Sequence, residues 1–265
     1  MNAPLLDTIL ISGGAVLALF FLMWLLHLPL ENAAIVDVGW GFGFIFLCLI
    51  DIVLGQGFNQ RNIFLFTMIL LWGLRISFFI FKRIRGETHE DKRYKKMRNE
   101  FGKMAWLKFL MIFEFQALLQ IMIGVLFVVV TRNASPHLSI VEWLGILIFA
   151  AALIGETIAD EQLKAFKDNP GNKGKTCDTG LWAYSRHPNY FFEWLIWMGL
   201  FIYALASPWG WLAAIGPAIM YYLLRCVSGV PMAEEQSLLS RGDEYRRYQE
   251  RTSIFFPMPR KSTHA

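Results

Sequence analysis

Seven apolar stretches, each close to the length that carries a helix across a bilayer, constrain this chain more than anything else in it. They are Thr8–Leu28, Ala33–Leu54, Asn62–Phe81, Leu107–Thr131, Ile140–Ile158, Tyr190–Ala206 and Trp209–Val230. A crossing takes about 20 mainly apolar residues. Inside lipid the backbone must satisfy its own N–H and C=O groups, which makes each stretch a helix. Only Ser207-Pro208 separates the last two, so they read as a tight hairpin. Charged residues make up 17% of the 265, against about 25% in a soluble domain. The fold class is therefore an all-α integral membrane protein: a single domain over residues 1–265, built as one bundle of about seven transmembrane helices.

Lysine and arginine set the orientation. The segment Lys82–Lys108 carries ten of them, and Lys164–Arg186 and the tail from Arg241 to Lys261 are basic too. The stretches near Gly55–Arg61, Arg132–Ser139 and Ser207–Gly210 carry at most one arginine each. With seven spans all three basic segments fall on one side. The N-terminus is then outside and the C-terminus cytoplasmic. A net charge of +4 concentrated in a few loops suits anionic ligands and lipid headgroups, and no nucleic-acid partner is expected. Cys48, Cys177 and Cys226 follow no metal or disulfide spacing, and no His/Cys cluster calls for a metal. No basic region precedes the first apolar stretch, so no cleavable signal peptide is expected. The residues Arg260–Ala265 read as a frayed end.

Ionisable groups within spans are costly and mark bundle interiors. Asp37 in the second span and Arg75 in the third lie at similar depth. They read either as a structural ion pair or as the wall of a cavity that faces a ligand. Trp40 belongs to the same wall. Gln116 and Gln120, four residues apart on one face of the fourth span, serve as helix–helix glue or cavity lining. The segment Glu90–Tyr94 reads as a solvated helix on an anionic leaflet, or as a flap whose Asp91, Arg93 and Tyr94 fold back over a cofactor mouth.

The densest polar cluster is Thr176–Gly199. At its centre, Tyr184-Ser185-Arg186-His187-Pro188-Asn189-Tyr190 meets the start of an apolar helix. Proline fits the first helical turn, and a helix N-terminus with Arg186 and His187 beside it suits a phosphate or carboxylate. Glu193 shares a face with Asn189. Asp160 and Lys167 end the fifth span, Arg225 ends the seventh, and Glu234-Glu235 and Tyr245 follow. No glycine-rich dinucleotide fingerprint and no P-loop is present.

The segments Ile35–Gly41, Trp72–Arg75, Glu90–Tyr94, Gly180–Glu193, Val227–Glu235 and Tyr245–Pro257 resemble the bacterial membrane family of unknown function related to the steroid 5α-reductases. The resemblance spans roughly residues 30 to 258. It implies a seven-helix protein of the bacterial inner membrane that binds NADPH through residues 140–258 and reduces the C=C bond of an apolar enone. Residues 8–132 then form the substrate side, with Trp40, Arg75, Gln116 and Gln120 lining it. The resemblance implies cofactor contacts from Asp160, Lys167, Tyr184, Asn189, Glu193 and Arg225. Arg186, His187, Tyr190, Glu235 and Tyr245 join them from the same cluster.

The steroid reductases polarise the ketone with a carboxylate and a tyrosine. Asp37 matches the carboxylate, one methylene shorter. The tyrosine position falls on Trp72, which has no phenolic proton, so Tyr94, Tyr190 or the Trp72 N–H stands in. The pattern Arg186-His187-Pro188-x-Tyr190 with Glu234-Glu235 is also similar to the isoprenylcysteine and phospholipid methyltransferases, which implies S-adenosylmethionine instead. A non-catalytic lipid-binding protein is the third reading. The oligomeric state and the substrate are open.

Overall fold

The apolar stretches are helical. The computed structural model describes residues 3–86 and 90–261; residues 262–265 of the expected frayed end lie outside them. Helix α1 spans Leu5–Leu30, α2 Ile35–Leu54, α3 Gln60–Gly86 and α4 Lys92–Phe101. Then come α5 (Ala105–Ile123), α6 (Val125–Thr131), α7 (Ile140–Asp168) and α8 (Pro188–Ala204). The chain closes with α9 (Ile215–Tyr222), α10 (Val230–Arg241) and α11 (Asp243–Arg251). Among the described residues no strand forms, and Ser185 and Ser253 make an isolated parallel bridge.

Among the described residues six stretches are long and apolar enough to cross a membrane: α1, α2, α3, the run Arg93–Thr131, α7 and the run Gly210–Arg241. The seventh expected span is α8. At 17 residues it is shorter than the roughly 20 of a straight crossing. Two other expected spans are interrupted. Gly124 separates α5 from α6, and a Cβ there would overlap the side chain of Leu47 on α2. The second interruption lies in Trp209–Val230. This stretch starts as a 3-10 segment, Gly210–Ala214, and loosens into a π turn at Leu223–Val227 before Pro231 opens α10.

The chain divides into two compact units, one of residues up to 139 with 204–213, the other of 140–203 with 214 onward. In the first unit α2 is the central helix, packed by α1, α3, α5 and α6. Its glycines explain why. A Cβ at Gly39 would overlap Met23 of α1, at Gly41 the Gly73 carbonyl of α3, and at Gly43 the Gln120 side chain of α5. Three neighbours thus approach one bare helix, as small residues allow in lipid. In the second unit α7 and α8 cross at Gly145 and Gly199, where a Cβ on Gly145 would lie 2.6 Å from the Tyr203 backbone nitrogen.

Candidate functional site

In the first unit the polar chemistry gathers at the N-terminal end of α2. Asp37 lies in its first turn, with 20% of the side chain exposed. The Tyr94 hydroxyl donates to Asp37 Oδ1 at 2.7 Å, and the Arg93 guanidinium donates to Oδ2 at 3.0 Å. Both donors come from α4, whose start is held by Asp91: its side chain accepts from the Arg93 backbone N–H at 2.9 Å. Arg93 also bonds Asp91 through Nε and Nη2 at 3.1 and 3.0 Å, so one guanidinium bridges two carboxylates. Burial pushes the Asp91 carboxyl up, and the Arg93 hydrogen bonds more than reverse this, holding it below the usual range.

Glu90 fastens the segment to α2. It accepts from Ala33 N at 2.8 Å and from both Arg98 Nη2 and Nε, at 2.7 and 2.9 Å. Burial raises this carboxyl, but the Arg98 and Ala33 bonds outweigh it and hold it low. The segment Glu90–Tyr94 therefore folds back on the end of α2 and is not a freely solvated helix. The expected charge partner of Asp37 was Arg75; the guanidinium beside it is that of Arg93. Arg75 sits on α3 with partial exposure. Trp72 is fully buried and packs edge-on against Phe44 at 5.6 Å, while Trp40 packs on the same Phe44 at 5.4 Å. Gln120 is buried and donates to the Trp40 carbonyl at 2.7 Å, which makes it helix–helix glue; Gln116 is partly exposed.

The second unit organises around Glu234. His187 Nε2 lies 2.8 Å from Glu234 Oε1, the Tyr245 hydroxyl donates to the same oxygen at 2.6 Å, and Gln249 Nε2 donates to Oε2. Arg186 Nε stands 3.1 Å from Oε1. These groups converge because the chain after α11 returns along Ser185–His187. Arg186 N donates to Ser253 O, Ser185 Oγ to Phe255 O, and Arg186 Nη1 to Gln249 O, each at 2.8 Å. Tyr248 secures the preceding turn through the Trp182 carbonyl. Pro188 is the first residue of α8, as its sequence position implies.

Burial lowers the His187 imidazole, and the Glu234 contact opposes this without cancelling it. Burial raises the Tyr245 hydroxyl and the bond to Glu234 adds to the rise. His187 stacks on Tyr190 with ring centroids 5.6 Å apart. Asn189 donates to Asp160 at 3.3 Å, and its own buried Oδ1 has no hydrogen-bond partner among the described residues. Glu193 accepts from Trp197 Nε1 at 3.2 Å. Arg225 lies in the π turn, partly exposed and with no ion pair among the described residues. Lys167 is exposed, and Tyr184 is 51% exposed.

The structure thus joins Arg186, His187 and Tyr245 in one network and puts Glu234, not the exposed Glu235, at its hub. Sequence reasoning put Glu235 among the cofactor contacts, whereas the network forms on its neighbour Glu234. Gln249 and the Glu90–Arg98 clamp carried no local signal at all, since their partners are set by the return of the chain.

Residues 23–252 match DUF1295, described as a protein of unknown function. The chain belongs to that family. A 57-residue stretch is 44% identical to a probable O-methyltransferase, ustE, of Ustilaginoidea virens, covering 22% of this chain and 19% of that one. An uncharacterized protein of Schizosaccharomyces pombe is 23% identical over 270 aligned positions, covering 89% of this chain and 75% of its own. No solved structure matches the chain.

Proposed function

We propose that this DUF1295 protein is a membrane-embedded reductase that uses NADPH to reduce the C=C bond of an apolar enone, steroid-like or isoprenoid-like. The observation that carries this reading is the 2.7 Å hydrogen bond between Tyr94 and Asp37. A tyrosine and a carboxylate in contact are the pair needed to polarise a ketone, and Tyr94 supplies the phenol that Trp72 lacks. With Asp37 ionised, Tyr94 and Arg93 both donate to it. With Asp37 protonated, the carboxyl can donate to the Tyr94 oxygen, and the phenolic hydrogen is released toward a carbonyl. That hydrogen bond stabilises the negative charge that grows on the oxygen as the β-carbon is reduced. The α-carbon then takes a proton from water, which completes the saturated ketone.

Bound NADPH would supply the hydride. Its phosphates call for cations, and Arg225 and Lys167 have charge to give, whereas Arg186 is engaged by Glu234 and the tail carbonyls. The unsatisfied Asn189 Oδ1 would accept from an amide or adenine N–H. On this reading α8 is a seventh crossing, tilted or partly interfacial, the N-terminus is outside and the C-terminus cytoplasmic in a bacterial inner membrane. Residues 8–132 serve the substrate and 140–258 the cofactor.

A second reading, transfer of a methyl group from S-adenosylmethionine, is favoured by the O-methyltransferase relative. Thermal melting of the purified protein separates the two. A ligand at 100 times its dissociation constant stabilises by about 2.7 kcal/mol. A shift with NADPH and none with S-adenosylmethionine supports the reductase. The reverse overturns it in favour of methyl transfer, and no shift with either overturns both.

A further inference from the structure

Helix α2 carries a second acid fourteen residues beyond Asp37, roughly 21 Å along the axis at 1.5 Å per residue. This is Asp51, in the last turn, with 0% of its surface exposed. Ser12 and Arg132 are its polar neighbours, and among the described residues neither closes a well-formed hydrogen bond to its carboxyl oxygens. A buried carboxyl whose oxygens are left short of hydrogen bonds is costly, and within a span it marks a place where a partner is supplied.

Asp51 lines a cavity of about 510 Å³, inside the roughly 300–1,000 Å³ range of small-molecule sites. The walls are apolar, made by residues such as Leu47, Val125, Val128 and Leu212, with Trp209 at the same cavity. Polar groups enter from Ser12, Asp51 and Arg132. Ser12 Oγ is already committed to the Thr8 carbonyl at 2.8 Å. Arg132 Nη2 donates to Ala3 O at 2.8 Å and Thr8 Oγ1 at 2.7 Å. Its buried Nε has no hydrogen-bond partner among the described residues. The cavity therefore presents one unmet acceptor group and one unmet donor, opposite in charge, at the edge of an apolar chamber.

We propose that this cavity is a ligand site distinct from the Asp37 end, and that its occupant is a long-chain or polycyclic apolar alcohol. A neutral hydroxyl can donate to Asp51 and accept from Arg132 Nε–H at once. A phosphate drawn to Arg132 would also face Asp51, and an ammonium drawn to Asp51 would also face Arg132. A singly charged head thus gains one attraction only beside a repulsion, whereas a neutral hydroxyl meets neither penalty. The apolar body fills the chamber by removing its surface from water.

The test uses the full-length protein in phosphatidylcholine nanodiscs and a photoreactive isoprenoid alcohol as probe, with its methyl ether and parent hydrocarbon as comparators. The alcohol labels the Val125–Arg132 region saturably, and the ether competes about tenfold less well because it cannot donate to Asp51. Asp51→Leu weakens labelling about tenfold or more, since it removes the group that accepts from the alcohol. Leu212→Trp, which narrows the chamber from the 204–213 segment, blocks labelling without touching Asp51. Equal labelling by alcohol, ether and hydrocarbon means ordinary bilayer lipid and overturns the proposal. So does retention of labelling in Asp51→Leu. The readout is binding alone, so it stands or falls independently of any reductase activity.

Discussion

The Tyr94 hydroxyl reaches the Asp37 carboxylate at 2.7 Å across a sequence separation of 57 residues. The two helices that carry them, α4 and α2, are joined by Glu90, which binds the start of α2 and Arg98 of α4 together. Asp37 is thus the centre of a small polar assembly at one end of an otherwise apolar helix.

If Tyr94 orients a proton toward a substrate carbonyl, Tyr94→Phe lowers kcat by about 10²–10⁴-fold, the range of one general-acid contribution. Asp37→Asn lowers it comparably. Cofactor-induced melting shifts stay unchanged in both, because the residues assigned to NADPH lie in the other unit. Unimpaired turnover in Tyr94→Phe removes the pair from the chemistry.

Glu234 and Glu235 are adjacent and their substitutions are expected to diverge. Glu234→Ala leaves His187, Tyr245, Gln249 and Arg186 facing an empty acceptor site. Removing one partner of a buried charged network costs about 3–5 kcal/mol. Glu235→Ala, at an exposed position, stays within about 0.5 kcal/mol of the parent. Parallel melting curves decide this, and equal losses would dismiss the hub role of Glu234.

The His187 environment makes stability depend on pH. Burial holds its imidazole below the usual 6.5 in the folded protein, so the unfolded chain binds that proton more readily. The contribution is fully present above about 6.5 and is lost as pH falls through the lowered value. Melting temperature should drop on acidification from neutral pH, and His187→Gln should flatten the part of the profile just below 6.5.

Helix packing offers a test at Gly41. A Cβ there overlaps the Gly73 carbonyl and Ser77 of α3, so Gly41→Ala costs about 1–3 kcal/mol through forced separation of two helices. Gly14 on α1 has nothing among the described residues within 4 Å of the added carbon. Gly14→Ala is expected to be neutral or stabilising by up to about 1 kcal/mol.

Much of the architecture was legible in the chain because membrane helices are specified locally. An apolar run near 20 residues has to be helical wherever it lies in lipid, and the spans expected at Thr8–Leu28, Ala33–Leu54 and Asn62–Phe81 are contained, to within two residues, in α1, α2 and α3. The Pro188 start of α8 followed from proline's fixed geometry and missing N–H. The interruptions at Gly124 and at Leu223–Val227 were not legible. Glycine is common in membrane helices, and it marks a break only where a neighbour such as Leu47 occupies the space of the missing Cβ.

The site divides in the same way. The sequence alone determined which residue types were available: acids within apolar spans, and aromatic and basic groups crowded at Tyr184–Tyr190. Tertiary structure decided the pairings. Arg93 rather than Arg75 meets Asp37 because α4 folds back on α2. Glu234 rather than Glu235 meets His187 because neighbouring positions on a helix point about 100° apart and only one faces the returning tail. Asp51 acquired meaning only when Arg132, 81 positions later in the chain, was brought to the same cavity. Composition and hydropathy specify each helix one at a time, whereas a partner on another helix is chosen by rotation and crossing geometry, which no local pattern encodes.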